Sequence, residues 1–95
     1  MTSKVCWRST GFSSLRVEAW DEEFTVFQPG SGKTHFLNQM GLQIISSLDQ
    51  SPASADDICR FLSEQFQVPY DQNFLWHIMK TLHRFDELGL IKKME

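Results

Sequence analysis

Cysteine is scarce: Cys6 and Cys59 are the only two, and neither belongs to a spacing that holds a metal. Two thiols cannot staple a small secreted scaffold, so stability has to come from a packed core. Long apolar runs are missing too, which removes a signal peptide and a membrane span from the readings of this stretch. Cations are outnumbered, with 9 Lys and Arg against 12 Asp and Glu for a net charge of −3. That balance argues against nucleic acid, whose backbone is held by clustered Lys and Arg. The expectation is a cytoplasmic protein that contacts neither membrane nor nucleic acid.

Catalytic patterns are missing as well. His35, His77 and His83 belong to no metal-binding motif, and no Ser or Cys sits in a nucleophile elbow or triad. Asp56-Asp57 and Asp21-Glu22-Glu23 read as a helix-start charge and a turn. No enzyme, cofactor or metal is expected. What the chain does have is aromatic weight, with 8 Phe and 3 Trp in a sequence that is 41% hydrophobic. That is enough to build a core for one domain over residues 1–95.

The centre of the chain is a hairpin. Glu23 to Phe27 is β-branched and aromatic, Gln28 to Lys33 is turn chemistry, and Thr34 to Asn38 is β-like again. Pro29-Gly30-Ser31-Gly32-Lys33-Thr34 imitates the end of a phosphate-binding loop. Such a loop needs a Gly five residues before its Gly-Lys pair, and that position is Phe27. It must also open a helix, whereas Thr34 to Leu37 reads as strand. A plain turn with glycine at positive φ is the better reading.

Before the hairpin, Leu15 to Trp20 alternates apolar and polar with the period of a half-buried strand, and Asp21-Glu22 turns the chain. The three strands form an antiparallel meander. Residues 1–14 read as an N-terminal arm, with a short strand near Val5 to Arg8 and Trp7 as its anchor.

After the hairpin the period becomes helical. Asn38 caps a first helix to about Leu48, with Met40, Gly41, Ile44, Ile45 and Leu48 on one face. Gly41 on that face points to a close approach by another backbone. Ser54 with Asp57 is a capping box that opens a second helix, with its stripe at Ile58, Phe61, Leu62, Gln65 and Phe66 and Cys59 as a core filler. Asp71 or Asn73 caps a third, ended near Leu88 by Gly89, with its core stripe at Phe74, Leu75, Ile78, Leu82 and Phe85. Leu90-Ile91 tucks back behind it. Trp76, Met79 and His83 form a second row beside this stripe, where apolar surface can cover a partner. The fold class expected is α+β, a three-stranded meander followed by three helices in a winged-helix-like cadence.

Several of these segments resemble the PqqD-like peptide chaperones, the recognition elements for ribosomally made, modified peptides. The resemblance rests on Trp20-Asp21-Glu22-Glu23 with Phe24 to Phe27, and on Ser31-Gly32-Lys33-Thr34-His35-Phe36-Leu37-Asn38. It extends through Gly41, Ser54-x-x-Asp57-Ile58 and Leu88-Gly89-Leu90-Ile91. The Ser-Gly-x-Thr-His run is similar to the branch associated with HPr-kinase-related proteins, from which Lys33 departs, an acidic residue being expected there. The resemblance implies a non-catalytic domain that binds a precursor (leader) peptide as an added strand and presents it to a separate modifying enzyme. On this chain the peptide-binding residues would be Thr34, His35, Phe36 and Leu37 of the third strand with Trp76, Met79 and His83 of the third helix. The alternative is a winged-helix DNA-binding module using Lys80, Arg84, Lys92 and Lys93, and a homodimer through the same sheet edge is a third reading.

The turn reading is directly testable. Titration calorimetry with ATP and Mg²⁺ should register no heat; micromolar binding that Lys33→Ala abolishes would make Pro29 to Lys33 a nucleotide loop.

Overall fold

The computed structural model describes residues 5–11, 15–21 and 23–94. Residues 1–4 and 12–14 of the expected arm, and Glu22 of the expected turn, lie outside them. In chain order the elements are β1 (Cys6–Ser9), β2 (Arg16–Trp20), β3 (Glu23–Gln28), β4 (Lys33–Asn38), α1 (Gln39–Gln50), β5 (Ala53–Ser54), α2 (Ala55–Phe66), α3 (Gln72–Glu87) and β6 (Ile91–Met94).

The meander is present as a sheet ordered β2-β3-β4, with all pairs antiparallel. Its register sets Val26 opposite His35 and Phe24 opposite Leu37, so one face carries Val26, His35 and Leu37 into the core. The hairpin turn is closed by Gly32 N–H donating to the Gln28 carbonyl at 2.8 Å, with Gly32 at φ 71° where only glycine is unstrained. The chain past the turn is strand, as the missing phosphate-loop glycine implies.

A single meander does not describe the whole fold. The described residues hold a second antiparallel sheet, ordered β5-β1-β6. The N-terminal arm is its middle strand, pairing Cys6 with both Ser54 and Met94. Trp7 is the anchor expected of it, only 4% exposed.

The helix starts follow their caps. Asn38 Oδ1 accepts from Gly41 N–H at 2.8 Å, Ser54 and Asp57 make the reciprocal capping box, and Asp71 caps α3 through Phe74 N–H. α1 runs to Gln50, slightly beyond its last core residue Leu48. Gly41 is a site of close approach, but to a side chain: a Cβ there would stand 3.2 Å from the Phe85 ring.

Ile44, Ile45, Leu48, Ile58, Leu62, Ile78, Leu82, Leu90 and Ile91 form the centre of the core, with Cys59 filling space on α2. Burial pushes the Cys59 thiol up from its ordinary value. Phe61 departs from the expected stripe and is 37% exposed. α2 is rotated so that Ile58, Cys59 and Leu62 take the inside positions, which carries Phe61 to the rim.

α3 ends in a Schellman motif: Leu90 N–H returns to the Phe85 carbonyl at 2.9 Å and Gly89 N–H to that of Asp86 at 3.0 Å. Gly89 has φ 78°, and its carbonyl accepts from Thr10 Oγ1 at 2.8 Å and from Gln28 Nε2 at 3.4 Å. Gly89→Ala should therefore destabilise the fold by about 1–2 kcal/mol, the cost of a left-handed L-residue. Urea unfolding measures it; a midpoint unchanged by the substitution would mean the junction relaxes without cost.

Candidate functional site

β3 occupies one side of β4, and no strand among the described residues pairs with the other side. β4 is therefore an edge of its sheet. Burial alternates along it: His35 and Leu37 point inward, while Thr34 and Phe36 point out, Phe36 being 73% exposed. Phe36 sits opposite Thr25, whose hydroxyl accepts from Trp20 Nε1 at 3.0 Å on the same outer face.

The N-terminal end of β4 is held by a polar cluster. Gln28 Oε1 accepts from His35 Nε2 at 2.7 Å and from Ser31 Oγ at 3.3 Å, while Ser31 Oγ accepts from Lys33 N–H at 3.3 Å. Through its amide nitrogen the same Gln28 reaches the Gly89 carbonyl, so the turn is tied to the end of α3. His35 titrates below the ordinary histidine value, first because burial strips its water and then because Lys33 and Arg84 repel a third positive charge.

Next to Phe85, whose ring stands with Leu37 of β4 against Gly41, α3 carries Arg84. Thr81 and His77 precede it by three and seven residues, which on a helix is one line, and Thr81 Oγ1 donates to the His77 carbonyl at 3.0 Å. His77, Lys80, Thr81 and Arg84 line a concavity of about 260 Å³. The opposite flank carries Leu75, Met79 and His83, which with Val5, Trp7 and Ala55 line a larger hollow of about 570 Å³. There His83 meets the Trp7 ring edge-on at 5.8 Å between centroids. Trp76 lies on the crest between the flanks, 60% exposed, with Lys80 Nζ 4.6 Å above its ring.

The residues singled out in the sequence are therefore divided between places. Thr34, His35, Phe36 and Leu37 share the open strand, although the His35 side chain is turned inward. Met79 and His83 meet Trp7 of the second sheet, on the flank of α3 away from Arg84, and Trp76 stands between. His77 and Thr81, beside Arg84, carry no apolar signal and were invisible to a search for one. Their legible trace is charge: no Asp or Glu occurs from Gln72 to Phe85.

Among the described residues no group of His, Cys, Asp and Glu is arranged to hold a metal, and no helix is long and apolar enough to cross a membrane. The site's equipment is an open strand, a helix with one basic flank, and an apolar hollow.

The fold is a small α+β domain with an edge strand and three helices. The chain belongs to the PqqD family: the family model described as coenzyme PQQ synthesis protein D matches residues 23–91. The match covers β3 through the start of β6 and bears out the family read from the sequence, without distinguishing the branch associated with HPr-kinase-related proteins. No curated protein and no solved structure matches the chain.

The His35 cluster makes a pH prediction. Its folded value lies below the ordinary 6.5, so as pH falls the unfolded chain takes up the proton first. The stability contributed by neutral His35 is present above pH 6.5 and is lost as pH falls from there through the folded value. Urea midpoints measured from about pH 7 to about pH 5.5, where few carboxylates titrate, should decline, and His35→Asn should flatten that decline. An equal slope in the variant would assign the dependence to other groups.

Proposed function

We propose that this domain is a non-catalytic peptide chaperone, which captures a precursor peptide as an added strand on β4 and presents it to a separate modifying enzyme. The observation that carries the reading is the open edge of β4 in a chain whose family is described as a coenzyme synthesis protein. The backbone of Thr34 to Leu37 supplies the hydrogen bonds, each about 0.5–1.5 kcal/mol net. A handful of these with two or three apolar anchors gives affinity near micromolar, suited to a peptide that must be handed on. Trp76 on the crest of α3, and Met79 and His83 beyond it, serve as side-chain seats for a segment long enough to reach over the helix.

A cytoplasmic setting agrees with two free cysteines. Pairing of two copies through β4 would occupy the same edge, so a homodimer of that kind competes with peptide and is not the working form.

An amide chemical-shift map tests the proposal, using a peptide selected on the domain from a library of extended sequences. The largest shifts are expected at Thr34 to Leu37 and along α3. Shifts concentrated on the free edge of β2 or on β6, with Thr34 to Leu37 silent, would place capture elsewhere.

A further inference from the structure

We propose that the peptide taken up here is acidic, an extended segment whose carboxylates occupy alternate residues facing α3. This rests on the strand-addition reading and names the chemistry of its ligand. The chain as a whole is acidic, yet α3 from Gln72 to Phe85 contains Lys80, Arg84, His77 and His83 and not one carboxylate. Acid is placed elsewhere, for example in the first turn of α2, where Asp57 closes the capping box and Asp56 accepts from Tyr70 Oη at 2.9 Å.

The cations are also in the right place. His77, Lys80 and Arg84 surround the concavity beside Thr81, and next to Arg84 the Phe85 ring meets the same point at Gly41 as Leu37 of β4, 3.2 and 3.6 Å from where a Cβ would stand. Lys33 is the exposed first residue of β4. The edge strand therefore has a positive charge at its start and a positive flank beside it. An incoming acidic strand meets both.

Spacing supports alternation. Lys80 and Arg84 are one turn apart, about 6 Å along a helix that rises about 1.5 Å per residue. Alternate residues of a strand are about 6.7 Å apart and point the same way. Two carboxylates at i and i+2 can thus face Lys80 and Arg84 while the residue between them faces outward. The stacking of Lys80 over Trp76 holds the ammonium at the helix crest, ready for the first of them.

A nucleic-acid duplex is the other polyanion this flank could meet. Laid along α3 it would bring phosphates against Asp71 at one end and Asp86 and Glu87 at the other. The Gln28 to Lys33 turn adds a single cation, Lys33. A short acidic peptide beside Lys80 and Arg84 need span only about one turn of the helix rather than its whole length.

Three synthetic peptides with one apolar pattern and Glu, Gln or Lys at the alternate positions separate these ideas, titrated into the whole chain with Trp fluorescence and an amide shift map. The Glu peptide should bind about tenfold tighter than the Gln peptide at low salt, with the advantage lost at high salt. The doubly substituted Lys80→Gln, Arg84→Gln chain should bind the Gln peptide unchanged and lose the preference. Equal binding of Glu and Gln peptides, with shifts at Thr34 to Leu37, would overturn the acidic ligand and leave strand addition standing. Absence of Thr34 to Leu37 shifts with all three peptides would overturn both. Tighter binding of a mixed-sequence duplex than of the Glu peptide, centred on α3, would overturn the inference in favour of nucleic acid.

Discussion

The junction at Gly89 is the constraint on which the rest of the arrangement depends. A left-handed residue ends α3 and sends Leu90 and Ile91 straight into the core. Its carbonyl receives Thr10 from the end of β1 and Gln28 from the end of β3, so one peptide group joins both sheets to one helix. Each bond is worth little alone, about 1 kcal/mol. Their value is positional: they fix where the β4 edge lies relative to α3. Phe85 adds an apolar contact to the same end, its ring against the backbone of Gly41, which is why only a residue without Cβ fits there unhindered.

That geometry gives α3 two unlike sides. One faces the second sheet and is apolar, with Met79 and His83 around Trp7. The other is polar and cationic, with His77, Thr81 and Arg84 in line. A helix that covered only a core would leave its remaining surface mixed in charge. Here Lys80 and Arg84 share a helix whose residues 72–85 hold no acid, Asp86 and Glu87 coming only at its end. Long-range attraction of that kind acts on the rate and selectivity of encounter more than on the final affinity.

An open strand edge is also a hazard, since it can template pairing with any other chain. In β4 the exposed positions are Lys33, Thr34, Phe36 and Asn38, so the edge mixes a charge and polar groups with a single large apolar side chain. The inward residues His35 and Leu37 hold the strand to the body, and the Gln28 cluster pins its first residues. The edge is thus tied to the body by its inward side chains and by the turn.

Much of this was legible in the residues, because turns, caps and periods are local physics. Phe27 in place of a glycine excluded the phosphate loop, Asn38, Ser54 and Asp71 marked three helix starts, and Gly89 marked the end of the last. The alternation in β2 to β4 and the Ser-Gly-x-Thr-His run carried the meander and the family. Tertiary structure alone decided the second sheet, since nothing local tells Cys6 that its partners are Ser54 and Met94. It decided that Phe61 would sit at the rim, because the rotation of α2 is set by what packs on it. It also decided which flank of α3 meets Trp7. Helical periodicity says which residues share a face, but a face has no address until distant segments pack against it.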